Sequence, residues 1–206
     1  MCGISFAETS GGGEVRISRG AGGYYSYLGT DVLLIPQDRQ TMNLESFTMG
    51  TPESEFHRVV RHEAGHTLGF PHEHMRRELV ARIDPAKAYA YFLATQGWSP
   101  EVVDQQVLTP LDDASIYATP ADEDSIMCYQ LPGSITIDGR PVRGGSDLTP
   151  TDRAFAGAIY PLSASSVSSS AASSSAVSSS VSAFTAPQQR AVTEDWDESE
   201  DVVVPV

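Results

Sequence analysis

The sequence predicts an α+β fold for residues 1–162, followed by a disordered tail over residues 163–206. Three observations carry this. Short extended segments cluster before residue 50, helix starts marked by proline cluster after residue 51, and the composition changes abruptly past Pro161.

Residues 14–18 alternate as a strand. Gly22 and Gly23 break the pattern, and residues 24–28, 32–36 and 41–44 read as further short strands. Thr51-Pro52-Glu53 then reads as an N-cap, a proline at the first helical position and an early acid, with Val59, Val60 and Leu68 of the following helix facing a core. Asp84-Pro85 opens a second helix, with Tyr89, Phe92 and Leu93 pointing inward. Ser99-Pro100-Glu101 opens a third, whose Val102, Val103, Val107 and Leu108 read as core. Residues 135–142 look like a hairpin turned on Asp138-Gly139. Thr149 as N-cap, Pro150 at the first position and Asp152 capping back start the last helix, which Pro161 stops.

The first of these helices carries the chemistry. His62 and His66 are four residues apart, so they project from one helical face, one turn above the other, and two imidazoles can share a metal ion. Glu63, one step round the helix, is placed to act as general base on a water at that metal. Gly69 accepts a positive φ at low cost and lets the chain turn sharply, which brings His72 back toward the other two histidines. Three neutral imidazoles leave one tetrahedral position open, the pattern of a catalytic rather than a structural zinc site. A bare His-Glu-x-x-His arises by chance on ordinary helices; the extension through Gly69 and His72 does not.

His62, Glu63, His66, Gly69 and His72 match the His-Glu-x-x-His-x-x-Gly-x-x-His pattern, and the chain thereby resembles the metzincin metallopeptidases. Ser125-Ile126-Met127-Cys128-Tyr129 resembles the Met-turn of that clan, which implies that Met127 lies beneath the zinc ligands as an apolar floor. Gly65, costly inside a helix, is then explained by close packing against that turn. Within the clan, Gly69-Phe70-Pro71-His72-Glu73-His74 and Tyr129 resemble the astacin-like branch, although Cys128 stands where that branch carries a histidine. The resemblance implies a mixed, twisted sheet and the zinc-site helix above a helical lower subdomain. It implies a zinc endopeptidase acting on protein or peptide substrates, with Glu63 as base and Tyr129 as a switchable zinc ligand that supports the transition state. It also implies that the sheet edge, residues 25–28 or the strand through Ile35, pairs with an extended substrate. The segment after the Met-turn is expected to wall the pocket for the residue following the cut bond. A rival from another class is a non-catalytic zinc-binding or adhesion module; the intact Glu63 argues against it.

The remaining features bound this reading. Relatives carry a strand and a long helix before the segment that begins here, so the chain is expected to be N-terminally truncated, with one sheet face left uncovered. No basic and apolar leader is visible, although the resemblance implies secretion. No apolar run approaches about 18 residues, so no membrane span is expected. The chain carries a net charge of −14, of which six acids and Arg190 in the tail make −5, and both parts are acidic, which argues against nucleic acid as a partner. The protein is expected to act as a monomer. Cys2 and Cys128 can form at most one bridge, and Cys128 reads as a small buried filler. His57 and His74 read as solvated side chains, and Asp112, Asp113, Asp122, Glu123 and Asp124 as a solvated rim, not a calcium loop. Residues 163–183 are nearly all Ser, Ala and Val and cannot bury enough apolar area to offset their entropy, which predicts disorder and, if secreted, sites for O-glycosylation.

Overall fold

The computed structural model describes residues 2–162; the expected disordered tail lies outside the described residues. Three short strands, β1 (Ile17–Ser18), β2 (Tyr24–Ser26) and β3 (Met42–Leu44), form a mixed sheet in the order β1-β3-β2. β1 runs parallel to β3, with Ile17 beside Met42, and β2 runs antiparallel, with Tyr25 beside Asn43. All three residues of β3 are buried, so its two faces are both covered. The loops supply part of that cover: Asn43 Nδ2 donates to the carbonyls of Gly20 and Gly23 at 3.0 and 2.7 Å. The Arg16 guanidinium gathers the carbonyls of Gly13, Glu14, Ile35, Pro36 and Arg39.

Beneath the sheet lies α1 (Glu53–Thr67), joined to it through a small cluster of Met42, Leu44, Phe47 and Val59. Glu53 and Glu55 in its first turn complement the positive end of the helix dipole. The helix starts one residue later than the sequence suggests. Pro52 is the cap, and the Thr51 hydroxyl accepts from the Thr48 N–H instead. Gly69, at φ 88°, ends the helix, and it packs so closely on Gly29 that a Cβ at residue 29 would meet the Gly69 Cα at 3.2 Å.

Past His72 the chain forms a second layer: α2 (Arg77–Val80), α3 (Pro85–Gln96), α4 (Pro100–Val103), a π-helical turn over Asp104–Leu108, and finally α5 (Pro150–Ile159). The expected caps are in place. Asp84 accepts from the Lys87 N–H, Gly97 closes α3 at φ 73°, and Thr149 and Asp152 bond reciprocally at the start of α5. Leu79, Ile83, Phe92, Trp98, Val103, Val107, Leu131, Ile135 and Val142 belong to a core built from α2, α3, α4, the π-helical turn and residues 128–142, to which α5 adds no buried residue.

Three expectations need correction. Residues 32–36 are not a strand: a 3-10 turn spans Gly29–Leu34, burying Val32 and leaving Leu33 and Leu34 exposed. Leu93 faces solvent rather than the core, because Phe92 and Ala88 take the inward face of α3. The hairpin on Asp138-Gly139 is a loop closed by one antiparallel bridge, Leu131 to Val142, with Gly139 at φ 73° and a 3-10 turn over Gly133–Ile135 inside it.

Candidate active site

The structure brings His62, His66 and His72 together. The Nε2 of His72 lies 3.0 Å from that of His66 and 3.3 Å from that of His62. Each α1 histidine is oriented from behind. His62 Nδ1 lies 2.7 Å from the Ile126 carbonyl oxygen, and His66 Nδ1 lies 2.8 Å from that of Phe70. A carbonyl can only accept, so both Nδ1 atoms carry the proton and both Nε2 atoms present bare lone pairs. Burial keeps the rings neutral, holding His62 and His72 below the usual histidine range and His66 down to about 3. A shared proton from His72 can satisfy one of the two bare nitrogens; a cation satisfies the whole set. The donor set therefore fits a metal ion, and it is the only such group of side chains among the described residues.

Glu63 is buried beside His62, and its Oε2 has no hydrogen-bond partner. Desolvation is the main cause that raises this carboxyl to about 8. Orphaned buried carboxylate oxygens are costly and concentrate at functional sites.

Residues 125–129 hold this arrangement from below. A Cβ added at Gly65 would overlap the Met127 sulfur, so the helix needs glycine there for the turn to approach. The turn is tied on both sides: Ile126 offers its carbonyl to His62, and Met127 offers its own to the Glu73 N–H at 2.8 Å. It is also anchored to α5. Asp152 Oδ1 accepts from the Ser125 hydroxyl at 2.7 Å, while Oδ2 accepts from the N–H groups of Ile126 and Thr149 at 3.2 and 2.9 Å. Sequence reasoning found Asp152 only as a cap. Its second role depends on residues 26 and 27 positions away, for which no local signal exists.

Tyr129 packs its ring on His72, with centroids 4.1 Å apart, and burial followed by the nearby Glu63 charge raises its phenol above the usual tyrosine range. His74, expected in solvent, is instead fully enclosed, because the turn over Glu73–Met75 points it into the lower layer. Its place directly after the His72-Glu73 pair was the available signal. His57 is exposed, as expected. Cys128 is a buried thiol pushed up to about 12 by desolvation, and both Cys2 and Cys128 are free. Asp112, Asp113 and Asp124 are exposed, whereas Asp122 and Glu123 are half-buried and bond to Thr149 and Arg82. A cavity of about 250 Å³ lies on the far side of Gly65 and Met127, walled by Leu68, Phe70 and Phe155. None of the three histidines lines it, so it is separate from the site.

An α+β chain with a three-histidine cluster over such a turn has the donor set of a metal site and fits a metallopeptidase. A solved structure of myroilysin, a metallopeptidase, is similar to this chain with a TM-score of 0.71 at 35% identity, over 76% of this chain and 77% of that one. A second myroilysin crystal structure gives 0.51 at 36% identity, over 75% and 68%. The chain belongs to the metallopeptidase family of myroilysin. No protein-family profile and no curated protein sequence matches it.

Proposed function

We propose that the chain is a zinc-dependent endopeptidase of the metzincin clan, nearest the astacin-like branch, that cuts internal bonds of protein or peptide substrates. The observation that carries this reading is the convergence of two bare histidine nitrogens and the His72 ring beside a buried, unpartnered Glu63 oxygen. The branch rests on residues 69–74 together with Tyr129. On the same resemblance the protein acts as a secreted monomer. Nucleic acid is set aside on charge, and no helix among the described residues is long and apolar enough to cross a membrane.

His62, His66 and His72 hold the zinc ion, which supplies Lewis acidity to the site when bound. Desolvation keeps the Glu63 carboxyl protonated in the metal-free site, and a positive charge held by the three histidines would favour the carboxylate form that serves as base. Glu63 takes a proton from the attacking water and delivers it to the amine nitrogen of the departing product. The Tyr129 phenol donates to the oxygen of the tetrahedral carbon, a contact whose loss elsewhere typically costs about 10²–10³ in rate. β2 is an edge strand lying along α1, with Ser26 Oγ 2.9 Å from Thr67 Oγ1, and it offers main-chain groups to an extended substrate.

Replacing Glu63 with Gln keeps the histidine cluster and removes the base. The expected result is stoichiometric zinc with no cleavage of an unfolded protein substrate. Full cleavage by the Glu63→Gln variant overturns the mechanism, whereas stoichiometric zinc with no cleavage by the wild type points to the non-catalytic module.

A further inference from the structure

His74 is 1% exposed, and its nitrogens lie outside the metal cluster. Its Nε2 sits 2.9 Å from the Gln106 carbonyl oxygen, so Nε2 carries the proton and donates it. Nδ1 is then a bare acceptor, buried with no partner among the described residues. Leaving such a nitrogen unpaired is costly, and an aliphatic side chain of similar volume would avoid that cost. The carbonyl that holds the ring comes from the π-helical turn over Asp104–Leu108, an irregularity that is rare and frequently found at functional sites.

The held ring bears directly on Tyr129. The two rings stack at 13° with centroids 4.4 Å apart, while Tyr129 also packs on His72 at 4.1 Å and runs nearly parallel to His62 at 6.0 Å. The His72 and His74 rings also pack on each other, with centroids 5.1 Å apart, so Tyr129 sits in the angle between a cluster histidine and His74.

We propose that His74 is a positioning residue for Tyr129: tethered to Gln106, its flat ring fixes the plane of the phenol and thereby the direction in which the hydroxyl donates. The inference rests on the role given to Tyr129 in the proposed function. His74 itself exchanges no proton with substrate, since its one N–H is committed to Gln106.

The test is a double-mutant cycle on the zinc-loaded full chain, with cleavage of a fluorogenic peptide measured for wild type, His74→Leu, Tyr129→Phe and the double variant. His74→Leu is expected to lower kcat about tenfold to a hundredfold with KM within about twofold, because misplaced catalytic groups lose rate steeply. It is expected to lower kcat no further in the Tyr129→Phe background. His74→Phe, which keeps a flat ring in the same space, is expected to lose less, and it carries the test if His74→Leu does not fold. A second readout needs neither metal nor turnover: in the chelated protein labelled with 3-fluorotyrosine, the fluorine resonance that disappears in Tyr129→Phe is expected to shift and broaden in the His74 variants. An equal loss of kcat in both Tyr129 backgrounds, or an unmoved fluorine line, overturns the inference alone. A Tyr129→Phe variant with full kcat overturns the role given to Tyr129 and the inference with it.

Discussion

The two layers of this molecule are held together by different means. Below the metal cluster, eleven buried residues form one apolar core, with Val103, Val107, Ile135 and Val142 at most 1% exposed. Above it, four buried residues make the apolar cluster, and much of the order comes from directional polar contacts: Arg16 to five carbonyls, Asn43 to two, and the Glu45 carboxylate accepting from the N–H groups of Gly22 and Gly23. The histidine cluster lies at the seam, with His62 and His66 on α1 and His72 just past its end. The supports of its α1 histidines and of Tyr129 come from the seam or below: Ile126, Phe70, Met127 and His74. On the proposed function this division suits a peptidase, since Glu63 and Tyr129 would sit on a packed base while the edge offered to substrate is built from short strands and loops.

The contrast can be broken by comparing one substitution in each layer in metal-free protein. Ile135→Ala removes a fully buried side chain from the lower core and is expected to cost about 2–5 kcal/mol in urea unfolding. Asn43→Ala strands two loop carbonyls in the upper layer and is expected to cost about 1–3 kcal/mol. A cost for Asn43→Ala equal to or above that of Ile135→Ala would show that the polar pins, rather than the apolar core, set the stability of the chain.

The smallest expected effect isolates the seam from both layers. In the metal-free protein Glu63 titrates near 8 against an ordinary 4.5, so the folded state holds its proton more tightly than the unfolded state. The stability linked to this group is complete below about pH 4.5 and is lost as pH rises to about 8. The buried histidines act in the opposite sense: His66 titrates near 3 against 6.5, so its stability is gained as pH rises through that range and is complete above 6.5. Between pH 6.5 and 8 the acid alone operates. Chelated wild type is therefore expected to lose on the order of 1 kcal/mol across that window while Glu63→Gln does not. Parallel curves for the two proteins would show that Glu63 is solvated.

Most features that depended on neighbours within a turn or two were legible in the sequence, the cap expected at Thr51 being an exception. The four-residue step from His62 to His66, the reversal at Gly69 and the caps at Asp84 and Thr149 are local consequences of helix geometry, and all are present. The approach of Met127 to Gly65 was legible through resemblance. What escaped depends on partners distant in the chain. His74 is buried because a carbonyl 32 residues away is turned toward it, and residues 29–34 wind into a 3-10 turn where Gly29, at φ 52°, must meet Gly69. Leu93 followed the apolar pattern of its helix but lies just past the face that the core covers.

Asp152 starts the last helix and fastens the turn beneath the histidines with the same carboxylate. The floor of the histidine cluster is thereby tied to the first turn of α5. Unwinding of that turn would take from Ser125 and Ile126 their shared acceptor, leaving the loop held through the Ile126 and Met127 carbonyls. Retention of a metal at the histidines is then expected to depend on an element that contributes no ligand, with chelators stripping the site faster from Asp152→Ala than from wild type.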